Sequence, residues 1–378
     1  MKWRHLKKSN NNYSTEMAAW HCPLPKLTLP VTPRTACDAL PSAASTWKLS
    51  QPCCVTASPV SNHISSALTA STQSVVQESW EEIQSEVNYL ASNARIVQWY
   101  PGHIAKAERE LKSRIKLMDV IIEVRDARIP LATSHPEMTT WIKDKMRVVV
   151  MNRVDMITTA EKNKWANYFA SQKITTLFTD GRRGLGVMKL GRTVKSVARD
   201  INEKRRAKGL LPRAVRAVVV GYPNVGKSSL INRLLKRRKC EAAPRPGVTR
   251  ELQWARIGED LDLLDAPGLL PMKLSDQAAA IRLAICHDIG ESSYAVAGVA
   301  AVFVEMLLRM PNAGVELLEE RYKIDANGMS GEVFLEELAQ KIFAGDINHA
   351  ALRLLQDYRK GSLGWIGLEW PPFKGHGP

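Results

Sequence analysis

The chain has 378 residues, 45% of them hydrophobic and 24% charged, with a formal net charge of +15. That balance is typical of a globular protein, and no apolar run approaches the ~20 residues needed to cross a membrane as a helix. The positive excess favours a polyanionic partner, nucleic acid ahead of a membrane surface. The six cysteines show no metal-ligand spacing, and Cys53 and Cys54 are adjacent. A zinc site and a disulfide framework are therefore not expected.

Residues 1–70 are rich in Ser, Thr, Ala and Pro, and their only acids are Glu16 and Asp38. No continuous apolar segment is present, so a secretory signal is not expected. The composition is that of an organelle transit peptide, with a disordered tail as the other reading. Arginine is scarce there (Arg4 and Arg34), which favours a plastid over a mitochondrion. Order is expected from about Val75, first as a helix over 74–88. A short segment follows with Trp99, Tyr100, Pro101, Gly102 and His103, and then a charged amphipathic helix over 104–117.

From residue 119 short apolar runs alternate with helical spacing. Strands are expected at 119–124, 147–151, 174–178 and 215–220, and helices at 137–145 and 159–170. A long basic helix over 186–208 should bury Leu185, Met188, Val194, Val197, Ala198 and Ile201. A strand pair is expected at 252–257 and 261–264, turning at Gly258, Glu259 and Asp260. Beyond residue 272 helical periodicity alone remains, at 276–287, 294–309, 315–320, 331–344 and 346–360. Asp346 is placed as an N-cap and Gly361 as a stop. The expected fold class is α/β: a doubly wound, mostly parallel sheet over 75–272, followed by an α-helical domain over 273–370.

The stretch Gly221 to Ser228 reads G-x-x-x-x-G-K-S between a strand and a helix. This is the phosphate-binding loop: backbone N–H groups and a helix N-terminus surround a polyphosphate. Its contacts are assigned to Asn224, Val225, Gly226, Lys227, Ser228 and Ser229. Lys227 would reach the β and γ phosphates and Ser228 would hold Mg²⁺. A guanine base needs a carboxylate for its N1–H and exocyclic amine. Asn152-Arg153-Val154-Asp155, after a buried strand, supplies it in Asp155, with Asn152 bracing the loop. Adenine would leave that carboxylate unsatisfied. Thr179, Asp180 and Gly181 occupy the base-side loop. Thr249, in a Pro/Gly-bounded loop, is suited to ordering around a γ-phosphate. Asp265 would hold Mg²⁺ through water, and the Gly268 N–H would meet the γ-phosphate. The base motif thus precedes the phosphate loop, and the chain leaves after Asp265–Gly268, which is a circular permutation.

The segments W-Y-P-G-H-I-A-K (99–106), D-A-R-I-P (126–130), N-R-V-D, G-Y-P-N-V-G-K-S-S-L-I-N, R-P-G-V-T and D-A-P-G occur in that order. On these the chain resembles the circularly permuted YlqF/YawG GTPases over about residues 95–370. With the leader and K-R-R-A-K-G-L-L-P (204–212) before the loop strand, it looks like the plant chloroplast DAR type among them. The resemblance implies slow GTP hydrolysis with Mg²⁺, stimulated by the ribosome, and action on rRNA and the large ribosomal subunit. It implies a chloroplast location, with the mitochondrion as alternative. The family lacks a catalytic glutamine after D-x-P-G, and this chain carries Leu269 and Leu270 there. The resemblance makes His103 the candidate replacement, its other reading being a structural or RNA contact. It also makes Asn224 a K⁺ ligand. Arg153 replaces the usual lysine, and Thr179-Asp180-Gly181 replaces Ser-Ala, which puts the base-loop contacts in question.

Candidate RNA contacts are Lys204, Arg205, Arg206 and Lys208, then 236–239, then Arg353, Arg359 and Lys360. A monomer is expected. The competing readings are a GTP-gated RNA-binding module and a GTP-gated protein-binding regulator, neither with a role in ribosome assembly.

Overall fold

The computed structural model describes Ser85, Tyr89, Val97 and residues 104–143, 145–236, 253–271, 274, 276–310 and 314–372. The expected leader, the helix over 74–88 and the Trp99–His103 segment lie outside the described residues, apart from those three positions. Helix α1 (Ile104–Lys116) precedes β1 (Val120–Asp126), α2 (Met138–Ile142), β2 (Met146–Asn152), α3 (Thr159–Ser171), β3 (Thr176–Phe178) and α4 (Val187–Ala207). Then come β4 (Val215–Val220), α5 (Lys227–Leu235), β5 (Gln253–Ile257) and β6 (Leu261–Asp265). Five helices complete the fold: α6 (Gln277–Ile285), α7 (Val296–Leu308), α8 (Gly314–Tyr322), α9 (Gly331–Phe343) and α10 (Ile347–Lys360).

Among the described residues six strands form one sheet in the order β3-β2-β1-β4-β6-β5. All pairs are parallel except β5 with β6. Strand β1 is buried along its whole length, as a continuous apolar run in a sheet covered on both faces must be. Its side chains alternate. Ile122 and Val124 join the core under α4 and α5, while Ile121 faces Leu111, Ile115 and Met138 of α1 and α2. Strand order reverses between β1 and β4. Ligand crevices of open α/β sheets lie at such a switch point, beyond the carboxyl ends of the strands.

Helix α3 begins with a reciprocal cap, in which Thr158 accepts from the Glu161 N–H and Glu161 accepts from the Thr158 N–H. Helix α10 keeps the expected ends: Asp346 accepts from the His349 N–H, and Gly361 follows in the left-handed conformation. Helix α7 is buried on nearly every side, so α9 and α10 pack around it, with Phe303 4.8 Å from Tyr358 between ring centres. The apolar core runs unbroken from the sheet into these helices. Val97 forms an antiparallel bridge with Tyr294 in the same region. Among the described residues no helix is long and apolar enough to cross a membrane.

Two expectations are corrected. Helix α2 stops at Ile142, short of residue 145, because Lys143 takes a left-handed φ of 52°. In α4 the buried face is Val187, Leu190, Val194 and Ala198, while Leu185 and Met188 are 63% and 65% exposed. Gly186 turns the chain before the helix begins, so Leu185 lies outside it. Met188 falls one position out of phase with the i, i+3, i+7 stripe.

At the end of β1, Arg128 is fully buried against Asp126. Its Nε and Nη2 reach the two carboxylate oxygens at 3.0 and 2.8 Å. Nη2 also donates to the Cys286 carbonyl at 3.4 Å, the guanidinium lies 5.2 Å from the Tyr358 ring centre, and the Arg128 carbonyl accepts from the Leu368 N–H. Glu369 accepts the N–H groups of Leu131 and Ala132, and Gly367 donates to Glu161. Burial pushes the Glu369 carboxyl up to about 6, with Arg282 and these N–H groups opposing. Arg128→Ala would leave Asp126 charged and buried, so unfolding free energy should fall by about 3–5 kcal/mol. Urea denaturation at neutral pH measures it, and a loss within experimental error would remove the pair from this role.

Candidate nucleotide site

Each candidate loop among the described residues emerges from a carboxyl end of the sheet. Asp126 closes β1, Asn152 closes β2, the Thr179 loop follows β3, the phosphate loop follows β4 and Asp265 closes β6. Five segments far apart in sequence are thereby brought to one edge.

The phosphate loop needs glycine where other chain comes close. Gly226 has φ 98°, and an added Cβ would overlap the Asn152 amide. A Cβ on Gly268 would overlap the Pro223 backbone, and the Leu269 N–H donates to the Gly221 carbonyl at 3.3 Å. The D-A-P-G segment therefore lies directly on the phosphate loop. Lys227 is buried at the start of α5 and donates to the Tyr222 carbonyl at 2.8 Å. Burial pushes its ammonium down to about 8, while Asp265 and Asp288 pull it back up. The Ser228 hydroxyl donates to the buried Asp265 carboxylate at 3.0 Å. A hydroxyl and a carboxylate meeting beside a polyphosphate cradle form an oxygen donor set that fits Mg²⁺.

Asn152 spans two loops. Its Nδ2 donates to the Val225 carbonyl at 2.8 Å, and its Oδ1 accepts from the Gly181 N–H at 2.8 Å and from the Thr179 hydroxyl at 3.3 Å. Arg153, at φ 63°, donates to the Asn224 carbonyl at 2.7 Å and lies 3.4 Å from Asp126. A long cation in place of lysine thus still ties the base loop to the phosphate loop. Asp155 sits half-buried on the adjoining 3₁₀ turn. Asp180 folds back on its own turn, accepting the N–H groups of Arg182 and Arg183, so its carboxylate shapes this loop. Asn224, at φ 58°, donates through Nδ2 to the His287 carbonyl at 2.9 Å. A carbonyl can only accept, so this bond fixes the amide and leaves Oδ1 as its free acceptor face. That atom type suits a hard monovalent cation. Val225 and Ser229 stand with Asn224, Gly226, Lys227 and Ser228 in the loop and first helical turn. His103 and Thr249 lie outside the described residues.

Asp126, Arg128, His287 and Asp288 were not among the sequence candidates for this site. The acid and arginine of the D-A-R segment were visible as a motif, but their partners lie on distant segments. One basic candidate is corrected as well. Arg359 donates to the Ile285 and Ala284 carbonyls at 2.9 Å each, to Tyr294 and to Glu291. It caps the C-terminus of α6 and is not offered to RNA. Arg353 and Arg321 both reach Asp357, within the helical layer.

A phosphate loop, a guanine-type base motif and a hydrogen-bonded Ser–Asp pair, converging in permuted chain order, define a P-loop GTPase of circularly permuted topology. Residues 216–305 match the family described as 50S ribosome-binding GTPase. Ribosome biogenesis GTPase A of Bacillus licheniformis is 34% identical over 282 residues, covering 73% of this chain and 99% of that protein. The Bacillus cereus protein of that name is 35% identical over the same length, covering 94% of it. The chain belongs to the ribosome biogenesis GTPase A family. It is also similar to Short integuments 2, mitochondrial, of Arabidopsis thaliana, at 30% identity over 58% of each chain. A solved YlqF from Thermotoga maritima aligns with a TM-score of 0.49 and 24% identity over 70% of this chain and 98% of that one.

Two substitutions test this geometry. Asn152→Ala removes the brace between the Val225 carbonyl and the Gly181 N–H, at about 1–3 kcal/mol. GTP affinity in titration calorimetry should fall by about tenfold or more, and unchanged affinity would dismiss the brace. Asp155→Asn should exchange guanine for xanthine preference in nucleotide competition, and retained preference for guanine would move base reading to another residue.

Proposed function

We propose that the chain is a GTP-driven switch that docks on the assembling large ribosomal subunit of an organelle and leaves after hydrolysis. The observation that carries this reading is the route of the chain. The D-A-P-G segment rests on the phosphate loop and runs directly into the helices, so a shift driven by the γ-phosphate has a short path to the helical region. Family membership supports the ribosomal role, and the excess of basic residues supports an RNA partner. The exposed Lys204, Arg206 and Lys208 at the end of α4, with Lys236, are the proposed phosphate contacts.

In this reading Asp155 accepts the two guanine N–H donors, while Asn152 and Arg153 hold the base loop against the phosphate loop. Thr179, Asp180 and Gly181 wall the base. The N–H groups of 224–229 and the Lys227 ammonium surround the phosphates. Ser228, Asp265 and Thr249 would hold Mg²⁺, which when bound shields the phosphate charge and orients the γ-phosphate. Asn224 Oδ1 would take K⁺. The Gly268 N–H contacts the γ-phosphate. Leu269 and Leu270 have no polar atom with which to orient water, so the intrinsic rate is low. His103 is proposed to orient the attacking water once the subunit is bound. The protein acts as a monomer, with 75–272 as the GTPase domain and 273–370 as the helical domain that reads its state.

The acid-poor, arginine-poor leader supports the chloroplast stroma. The mitochondrial name of the Arabidopsis relative supports the mitochondrial matrix as the second reading. Gradient fractionation of both organelles, probed for the protein with a GTP analogue or with GDP, tests role and place together. The protein should move with large subunits of one organelle in the analogue only. Added subunits should raise the GTPase rate about tenfold or more, and Lys227→Ala should abolish both effects. A rate unchanged by subunits and no co-migration would end the ribosomal reading.

A further inference from the structure

Asp288 occupies a costly position. Helix α6 closes with the His287 N–H donating to Ala284 and the Asp288 N–H donating to Leu283, with His287 at φ 65°. This is a Schellman ending, where the residue after the left-handed one is commonly apolar. Here it is an aspartate, fully buried, whose two carboxylate oxygens accept no hydrogen bond. It lies at the negative end of a helix and near the buried Asp126, both of which oppose its charge. Burial first and Asp126 second push its carboxyl up to about 7, against Arg153, Arg128 and Lys227. An apolar residue at this corner would avoid every one of these costs.

The corner lies along the nucleotide site. The His287 carbonyl holds the Asn224 amide, and the Cys286 carbonyl accepts from Arg128. Three cations act on Asp288 through their charge without bonding to it. Of these, Arg128 is taken up by Asp126, and Arg153 by the Asn224 carbonyl and Asp126. Lys227 is buried and donates to a neutral carbonyl, with Asp265 and Asp288 as the anions that act on it. When phosphates are bound they answer that ammonium charge. When they leave, the two aspartates remain to do so.

We propose that Asp288, at the buried corner whose His287 carbonyl holds Asn224 of the phosphate loop, stands in for the nucleotide's phosphates in the field of Lys227 and thereby sets the rate of nucleotide release. It would stabilise the site after phosphate departs, and while phosphate is bound it must either oppose that charge or take up a proton. Both effects weaken nucleotide binding, so the sign does not depend on which is larger. The inference rests on the reading of the site as a GTP site. It gives a concrete means by which a partner on the helical region could change nucleotide affinity: moving residues 286–288 moves this charge and the carbonyl that holds Asn224 together.

The test is stopped-flow release of a fluorescent GDP analogue from the full chain. Asp288→Asn keeps the shape and removes the charge. Release should slow about tenfold and the dissociation constant should fall by a similar factor. Asp288→Ser, smaller and neutral, should move both in the same direction, and Asp288→Glu should stay near wild type. Damage to the fold would speed release, so slower release is not what a merely structural residue produces. Unchanged or faster release in both neutral variants overturns the proposal while leaving the GTP site intact. Failure of the wild type to prefer the GDP analogue over its ADP counterpart overturns both.

Discussion

The buried pair Asp126–Arg128 is the interaction on which the rest of the structure depends. A charge without a partner in this interior would cost several kcal/mol, so neither residue can be accommodated alone. Together they close the central strand β1, and their remaining bonds run outward in several directions. Asp126 steadies Arg153 of the base motif, and Arg128 reaches the Cys286 and Leu368 segments of the helical region. The D-A-R segment need not touch nucleotide to matter. It fixes where the elements of the candidate nucleotide site stand relative to the helices.

Around that pair the site is assembled from both sides. The sheet contributes the phosphate loop, the base motif and Asp265. The helical region contributes the His287 carbonyl and, next to it in the chain, the buried Asp288 carboxyl. A GTPase whose chain leaves through the D-A-P-G segment places helices close to the phosphate loop by connectivity alone. Helix α4 makes that order feasible by carrying the chain from the edge strand β3 back to β4 in the middle of the sheet. Its basic outer face follows from the same constraint, since only one stripe of a long crossover helix can be buried.

The positive charge divides into two populations. Arg128, Arg282 and Arg359 are spent on backbone carbonyls and buried acids inside the protein. Lys204, Arg206 and Lys208 at the end of α4 are exposed. Net charge alone cannot separate them, because a cation that caps a helix and one that meets a phosphate look alike in sequence. Arg359 shows the difficulty: its place in Arg359-Lys360 suggested a basic patch, and its geometry makes it the cap of α6.

The alternating strands and helices, the phosphate loop, the base motif and their inverted order were all determined by the sequence itself, because each rests on local spacing and polarity. Strand β4 and the ends of α10 were legible to the residue, as apolar runs, caps and glycine stops act within a few positions. The Asn152 brace was legible too, since it belongs to the motif. The tertiary structure alone decided which face of α4 is buried, that Arg359 serves a helix end, and that Asp126 and Arg128 meet the corner carrying Asp288. Those contacts join residues far apart in the chain, and burial gives an aspartate its meaning only after the chain has closed around it.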